Sequence, residues 1–332
     1  MSTLIVNPSN FSFNYTANSI LFECTSASNT VYDFVVPTDN PLTIVAVGAG
    51  GGGVAFTGTY SPPGSGGGYL RWTEDIVIPR GTLLRITVGA NGVNYAGDYG
   101  GWTSNAAKAG GFSSVVNQTT GSVYLLAPGG HGWSTITSVA SSTFQSTGNR
   151  GTQTRSAANG SFTTGSKTVD GISYTVSGGD GGNGGLGIIT LYPGNINGSA
   201  GAGGGGGAGG YTGNGGAGAS VAVTLQVTNY IGGPANGTGS TGGGGGGGRA
   251  SFSGSNDGPN GGGGVKVYGS GNNGSGATTD ANPYGGSGSS SSGAARSSFE
   301  TGTYGGGAGG RENSSFGGNS SQDGAVWIRW KI

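Results

Sequence analysis

Short apolar runs separated by turn residues predict β-strands in the first third of the chain. Residues 42–47, Leu-Thr-Ile-Val-Ala-Val, follow a turn at Asp39-Asn40-Pro41 and indicate a strand buried on both faces. Residues 83–88 alternate between apolar and polar side chains, which is typical of a strand with one buried face. The other predicted strands are 29–36, 69–72, 75–78, 122–126, 172–176, 188–192, 221–227, 265–268 and 325–330. No segment of ten or more residues has helical periodicity, so we expect almost no α-helix.

Glycine islands lie between these strands, and their other residues recur at a step of three. In 178–187 the non-glycine residues are Asp180, Asn183 and Leu186. In 201–218 the residues on one three-residue column include Ala202, Ala208, Tyr211, Asn214 and Ala217. A period of three is that of polyproline-II geometry. The islands therefore predict extended helices of this type built from glycine.

Such a helix has no internal hydrogen bonds, so its peptide groups must find partners in neighbouring helices. Glycine on every packed column lets the backbones approach. We expect a packed bundle in which Gly242–Gly248 is the most enclosed helix and residues 201–218 lie further out. On this hypothesis alanine is harmful at Gly245 and tolerated at Gly205. Flexible glycine linkers between β-elements remain the alternative.

Several motifs occur in an order that resembles the glycine-rich modules of bacteriophage tail fibres. They are Leu-Thr-Ile-Val-Ala-Val-Gly-Ala-Gly-Gly-Gly-Gly (42–53), Gly-Gly-Gly-Tyr-Leu-Arg-Trp (66–72), Val-Ile-Pro-Arg-Gly-Thr-Leu-Leu-Arg-Ile-Thr-Val-Gly-Ala-Asn-Gly (77–92), Ala-Pro-Gly-Gly (127–130) and Asp-Gly-Ala-Val-Trp-Ile-Arg-Trp (323–330). The chain is also similar to the tail-fibre-tip adhesins of T-even-type phages. The resemblance implies a sandwich of polyglycine-II helices whose variable loops bind a receptor on the host surface, and hence a virion protein.

We expect two parts in the chain. Residues 29–332 are predicted to form one module of β-strands and polyglycine-II helices, with a possible glycine-poor insertion at 133–176. Residues 1–28 are predicted to be an arm for assembly or attachment, which adds a strand to a neighbouring copy or to a fibre protein. The apolar residues of this arm are Phe11, Phe13, Tyr15, Ile20, Leu21 and Phe22.

Composition and charge narrow the function classes. Glycine supplies 82 of 332 residues, while 13 basic residues balance 13 acidic ones. That balance gives no excess of basic residues for binding nucleic acid. No apolar run reaches the roughly 20 residues of a membrane span. The first residues lack the pattern of a secretory signal. We therefore expect a virion or extracellular protein that is made in a cytoplasm without a cleaved signal peptide.

Residues for catalysis or metal binding are scarce. One histidine, His131, and one cysteine, Cys24, cannot build a multi-ligand site, and we interpret them as a turn residue and a small buried residue. The adjacent carboxyl groups of Glu74 and Asp75 are expected to point to opposite faces of a strand. The sequence thus predicts no enzyme activity, no metal and no cofactor.

Aromatic residues between glycine islands are candidates for contact with a host-surface protein or glycan, because rigid rings bind with little entropy loss. They are Tyr95, Tyr99, Trp102, Trp133, Tyr268, Tyr284, Phe299 and Tyr304. Their alternative role is structural, in which they pack against the edge of the glycine bundle. The predicted function is that of a non-catalytic tail-fibre adhesin, with a self-assembling filament subunit as the alternative. An ice-binding polyglycine protein is a weaker alternative, because the threonines form no regular face.

Overall fold

The structure is a computed structural model, and it describes part of the chain. Main chain and side chains are described for residues 18–53, 64–93, 109–132, 163–185, 203–211, 213–218, 262, 264–265, 304–307 and 321–331. Outside these ranges only the paths of short strands are described. The described residues are mainly β-strands and extended segments, and none is helical. No helix in this part of the chain could therefore cross a membrane.

The strands in chain order are β1 (Leu4–Val6), β2 (Ser19–Glu23), β3 (Thr30–Val35), β4 (Leu42–Val47), β5 (Val54–Phe56), β6 (Leu70–Ile76), β7 (Leu83–Val88), β8 (Tyr95–Gly97), β9 (Ser113–Asn117), β10 (Val123–Ala127), β11 (Ile136–Val139), β12 (Thr143–Ser146), β13 (Gly165–Val169), β14 (Ile172–Val176), β15 (Gly187–Leu191), β16 (Ser199–Ala202), β17 (Val221–Leu225), β18 (Tyr230–Ile231), β19 (Arg249–Phe252) and β20 (Ala325–Trp330).

Two sheets with a common core form a β-sandwich. The first sheet has the order β1-β3-β7-β9-β10 and the second has the order β2-β20-β4-β6. Their facing side chains form one apolar cluster that includes Phe22, Phe34, Ile44, Ile86 and Ile328, each at most 2% exposed. Alternation places these residues on inner faces, because successive side chains of a strand point to opposite sides. The interior of the sandwich is thus a hydrophobic core that both sheets share.

Several predicted strands are confirmed. The strands at 42–47, 83–88, 172–176 and 325–330 have the predicted bounds, and β4 is buried on both faces. The prediction of two separate strands at 69–72 and 75–78 is wrong, because β6 runs through from Leu70 to Ile76. A register shift in its pairing with β4 accompanies a positive φ of 55° at Asp75. Glu74 and Asp75 are therefore both exposed at this irregularity, rather than divided between two faces.

Extended glycine segments continue directly from the sandwich strands and form an array of their own, here called the glycine array. It consists of residues 48–53, 64–69, 89–93, 109–112, 128–132, 177–185, 203–210, 213–218, 262–265 (except 263), 304–307 and 321–324. These segments are joined laterally by backbone hydrogen bonds that recur every third residue. Residues 64, 67 and 70 donate to the carbonyls of 185, 182 and 179 at 3.0–3.1 Å, and the amides of 179, 182 and 185 donate to 210, 207 and 204 at 2.7–2.8 Å.

Residues 48–53 form the centre of the array, and all of them are buried. Their backbone bonds to five neighbours, which are 64–69, 89–93, 109–112, 128–132 and 321–324. A sixth neighbour, 304–307, lies so close that a Cβ on Gly50 would overlap the carbonyl of Gly306. The six neighbours surround the central segment as a ring, and each forms backbone hydrogen bonds with the next. Written as the residue of the N–H donor followed by that of the carbonyl acceptor, these bonds are 66→131, 110→130, 111→90, 324→89, 305→323 and 68→305. The central segment is thus enclosed on every side by backbone.

Residues 203–210 form a second enclosed segment, which corrects two expectations. All of them are buried, and Ala208 is 0% exposed against Val47 and Leu70, so it does not face away from the packed segments. A Cβ on Gly205 would lie 2.7 Å from the nitrogen of Gly262 and would overlap the carbonyl of Gly307, so alanine there is not expected to be tolerated. The prediction failed because a three-residue column marks one face of a segment but does not show whether that face is exposed. Gly242–Gly248 and Gly245 lie outside the described residues.

The hairpin of β13 and β14 belongs to the proposed insertion at 133–176, yet it packs on the sandwich. Tyr174 and Val176 are 7% and 1% exposed in the sandwich core, and the Tyr174 hydroxyl donates to the carbonyl of Tyr124 at 2.7 Å. This end of the proposed insertion therefore belongs to the core of the module.

Candidate functional site at the far end of the glycine array

The sandwich gives the glycine array a direction. β4, β7 and β10 run out of the sandwich into 48–53, 89–93 and 128–132, while 64–69, 109–112 and 321–324 run back into β6, β9 and β20. In the second sheet Val47 pairs with both Leu70 and Ala325, so these strand ends lie together next to the array. The array therefore extends from one end of the sandwich, and its opposite end is here called the far end.

Most of the described array segments begin or end at the far end. The chain leaves the array there after residues 53, 93, 132, 185, 218 and 307, and it returns at 64, 109, 203, 262 and 321. The pairing of 64 with 185, of 185 with 204 and of 218 with 183 places these residues near the same level. Val265 and Tyr304 are different segment ends, because they pair with each other beside the second sheet. The far end is thus where most of the described array segments begin or end.

Short strands continue the array at its far end. β5 directly follows 48–53 and β8 follows 89–93 after one residue, and the two pair in parallel with Val54 opposite Tyr95. β15 and β17 likewise follow 177–185 and 213–218 and pair in parallel within the sheet β11-β12-β15-β17-β18. β16 runs into 203–210 and pairs with β19. The direction of each array segment thus sets the direction of the strand beyond it.

Arg71 joins two parts of the molecule at the sandwich end of the array. Its side chain is 4% exposed and donates to the carbonyls of Leu70 and Gly179 at 2.9 and 2.8 Å, and to the Asp180 carboxylate at 2.6 Å. Its guanidinium also lies 4.9 Å from the centre of the Tyr69 ring. A guanidinium can serve this role because its donors form a rigid fork. Arg71 thus ties segment 177–185 to the strand that follows segment 64–69.

Asp170 fixes the β13–β14 hairpin to the sandwich. Its carboxylate accepts hydrogen bonds from Asn117, Thr120, Ser122 and Tyr124 at 2.6–3.0 Å. These bonds, with that of Ser122 the largest cause, hold the pKa of the Asp170 carboxyl below its ordinary value, although burial, the second-largest influence, acts in the opposite direction. All four partners are polar groups of the β9–β10 turn region, so the arrangement serves as a structural lock.

A second carboxyl group, Asp323, lies in the array near its sandwich end. It accepts a hydrogen bond from the Asn91 amide at 2.7 Å, and its own carbonyl accepts one from Gly305. Burial raises the pKa of Asp323, the Asn91 bond lowers it by less, and the nearby Glu23 charge raises it further.

Among the described residues no group of three or more His, Cys, Asp or Glu side chains is placed to hold a metal ion.

The structure assigns one receptor-contact candidate a structural position. Tyr304 is 5% exposed, and its hydroxyl donates to the Glu23 carboxylate at 2.5 Å, so it is not available to a receptor. Tyr95 begins β8 at the far end, where only the strand path is described. The remaining candidates lie outside the described residues; they are Tyr99, Trp102, Trp133, Tyr268, Tyr284 and Phe299.

Half of the proposed assembly-arm residues lie inside the chain's own sandwich. Ile20 and Phe22 are 4% and 2% exposed in the core, and Leu21 packs on the outer face of the second sheet. β2 pairs with β20 over its whole length, so these three side chains are already used within the chain. Phe11, Phe13 and Tyr15 lie outside the described residues, while β1 pairs in parallel with β3.

Sequence reasoning missed Arg71, Asp170 and Asp323, although each had a local signal. Arg71 is the first basic residue and stands in a strand directly after a glycine island. Asp170-Gly171 is a turn dipeptide between two alternating runs, and both residues have positive φ, 51° and 77°.

Comparison with protein-family models finds no match, and no curated protein matches the sequence.

Proposed function

We propose that this chain is a non-catalytic adhesin of the phage tail-fibre type, in which the far end of the glycine array contacts the host receptor. The observation that carries the proposal is that the two ends of the described fold differ. Asn18 and Lys331 lie beside Trp330 and Pro41, at the end of the sandwich remote from the array. The array segments that end at residues 53, 93, 132, 185, 218 and 307 end at the opposite side of the described fold.

The glycine segments in this proposal are polyglycine-II helices. The three-residue step of their lateral hydrogen bonds supports this geometry, because such a helix has three residues per turn. Enclosure of 48–53 by six neighbours also supports it, since backbones can approach from every side only where side chains are absent. A rigid rod of this kind keeps the receptor-contact residues away from the sandwich and holds them in fixed positions.

Because the two ends differ, the proposal assigns receptor contact to Tyr95, Tyr99, Trp102 and Trp133. These residues follow segments 89–93 and 128–132, which leave the array at its far end. Tyr268, Tyr284 and Phe299 belong to the excursion that starts and finishes beside the second sheet, so they are not part of the proposed contact. Binding through rigid aromatic side chains suits either a surface protein or a glycan.

The experiment is a binding assay of labelled protein on a panel of bacterial cells and their envelope fractions. We expect saturable binding to at least one strain. The triple substitution Tyr99→Ala, Trp102→Ala and Trp133→Ala should weaken it at least about tenfold, since aromatic hot spots each contribute 2 kcal/mol or more. The matched triple Tyr268→Ala, Tyr284→Ala and Phe299→Ala should bind like the wild type. Equal affinity of the two triple variants would contradict the assignment.

A filament subunit remains the alternative function, and imaging separates it from the adhesin. Because Ile20, Leu21 and Phe22 are used within the chain, a filament would have to be joined by other residues. Electron microscopy of purified protein should reveal discrete particles. Extended filaments, together with no binding to any envelope fraction, would replace the adhesin proposal by the filament.

A further inference from the structure

Asparagine is followed directly by glycine at three positions within the described part of the glycine array. These pairs are Asn91-Gly92, Asn183-Gly184 and Asn214-Gly215. In such a pair the glycine nitrogen can attack the side-chain carbonyl carbon of the asparagine, because glycine has no Cβ to obstruct the approach. An amide nitrogen that already donates a hydrogen bond has to break that bond first. The hydrogen bonds of the array therefore decide which pair reacts.

The array holds Asn91-Gly92 in place through both residues. The Gly92 amide donates to the carbonyl of Gly50 in the central segment at 2.9 Å. The Asn91 side chain donates to the carbonyl of Ser321 at 3.2 Å, and the Asn91 amide donates to the Asp323 carboxylate at 2.7 Å. The nitrogen that would attack is thus bonded within a buried residue, so this pair can react only after the array opens locally.

Asn214-Gly215 is more exposed and is nevertheless protected. Asn214 is exposed, but the Gly215 amide donates to the carbonyl of Asp180 at 2.7 Å. The Asn214 side-chain oxygen accepts a hydrogen bond from the Asp180 amide at 2.9 Å, which fixes the position of the carboxamide. Exposure of the asparagine alone thus does not leave a pair reactive, and this pair is a matched control for the third.

Asn183-Gly184 combines exposure with an amide that is not held. Asn183 is exposed, and the Gly184 amide donates no hydrogen bond within the part of the chain that the structure describes. The amides of Gly182 and Gly185, on either side of the pair, donate to segment 203–210 at 2.8 and 2.7 Å. Since the segment turns once in three residues, the Gly184 amide points away from that neighbour. It can attack without any opening of the array.

We propose that Asn183 is a site of spontaneous deamidation, and that it reacts before the other two described pairs. The Gly184 nitrogen loses its proton to hydroxide and forms a bond to the side-chain carbonyl carbon of Asn183. The bond from that carbon to the side-chain nitrogen breaks, and ammonia leaves. Water then opens the cyclic imide at either of its carbonyls, which gives aspartate or isoaspartate. The proposal rests on the array and not on the receptor-binding function.

Isoaspartate at position 183 breaks the three-residue step of its segment. It carries the main chain through the former side chain and so adds one methylene between Gly182 and Gly185, whose amides are both bonded to segment 203–210. A longer main chain cannot keep both bonds at the spacing of the neighbouring segment. Because the Asn183 carbonyl also accepts a hydrogen bond from Gly218, the change acts on the array near its far end.

The experiment follows the three pairs in the full-length folded protein during incubation in mildly alkaline buffer. Chymotrypsin can cut after Tyr211 and so separates Asn183 from Asn214 for mass spectrometry. The mass increase on replacement of the amide by a carboxyl group reports the reaction, and fragmentation distinguishes aspartate from isoaspartate. The same protein unfolded in urea gives the rates without the array. Asn183→Gln is the control variant, because its longer side chain closes the imide far more slowly.

In the folded protein Asn183 should convert at least about tenfold faster than Asn91 and Asn214, because only the latter two must first lose a packed backbone hydrogen bond. In urea the three should convert at similar rates. Asn183→Gln should keep its unfolding midpoint longer than the wild type during the incubation. Equal rates at Asn183 and Asn214 in the folded protein would overturn the proposal. So would an Asn183 that converts in urea but not in the folded protein.

Discussion

Alanine in the central segment should destabilise the protein far more than the same substitution at an open glycine. A Cβ on Gly51 would overlap the carbonyl of His131 and lie 2.7 Å from the nitrogen of Gly132. Both obstacles are backbone, so segment 128–132 has to move. That movement strains the bonds from Gly51 to Gly66, from Gly66 to His131 and from Gly130 to Ala49, which are 3.0, 2.9 and 2.7 Å long. Overpacking of about 1–3 kcal/mol and one unpaired buried peptide group of about 1–3 kcal/mol give an expected loss of about 4 kcal/mol.

Gly121→Ala is the matched control. A Cβ there meets nothing within 4 Å, and the only cost comes from its φ of +74°. We expect a loss of about 1–2 kcal/mol, which is the penalty for a left-handed residue with a side chain. Urea unfolding followed by tryptophan fluorescence measures both values on one scale. If Gly51→Ala costs no more than Gly121→Ala, the central segment is not enclosed by backbone and the reasoning fails.

Three further predictions concern the side chains that fasten the array and the hairpin. Arg71→Met should lower the free energy of unfolding by about 2–3 kcal/mol, because it removes the charge-assisted hydrogen bond to the Asp180 carboxylate and the guanidinium bond to the Gly179 carbonyl, which keeps only its bond from the Leu70 amide. Arg71→Lys should recover part of this loss, and an unfolding midpoint equal to the wild type for Arg71→Met would contradict the prediction. Since the folded pKa of Asp170 is lowered, its stabilisation is present above the unfolded value of about 4 and is lost as pH falls through the folded pKa, so Asp170→Asn should flatten the acid side of the stability profile. The pKa of Asp323 is raised, so its contribution has the opposite sign: it is present below the unfolded value of about 4 and is lost as pH rises through the folded pKa. The stability of Asp323→Asn relative to the wild type should therefore increase as pH rises above about 4, and a difference that does not change with pH would refute the assignment.

The sandwich strands could be predicted where local pattern and burial agree. β4 and β7 have the predicted bounds, since an unbroken apolar run and a strict alternation each correspond to one environment. β2 was not predicted as part of the sheet, because Ser19–Glu23 lies next to a polar stretch and its partner β20 is at the other end of the chain. Pairing over that separation leaves no signal in a single sequence. Three of the six residues in the arm hypothesis, Ile20, Leu21 and Phe22, are thus part of the second sheet.

The glycine segments illustrate a different limit. A step of three was visible in the sequence, and the backbone hydrogen bonds recur at this step. The identity of the central segment was not visible, because enclosure depends on which six segments surround it. The longest glycine run drew attention to Gly242–Gly248, whereas the described centre is 48–53, which contains Ala49. Likewise, Tyr304 could not be separated from the other aromatics until its bond to Glu23 was known.

Selective blocking of the two ends of the molecule tests the central claim most directly. Val93 and Val77 are both exposed, at 52% and 46%, and lie at the far end of the array and at the remote end of the sandwich. In a Cys24→Ser background, Val93→Cys and Val77→Cys are each coupled to a maleimide polyethylene glycol chain, and binding to the receptor-bearing envelope fraction is measured before and after coupling. The account predicts that the polymer at position 93 abolishes binding and that the polymer at position 77 leaves it unchanged. Loss of binding only from position 77 would contradict the claim that the far end contacts the receptor.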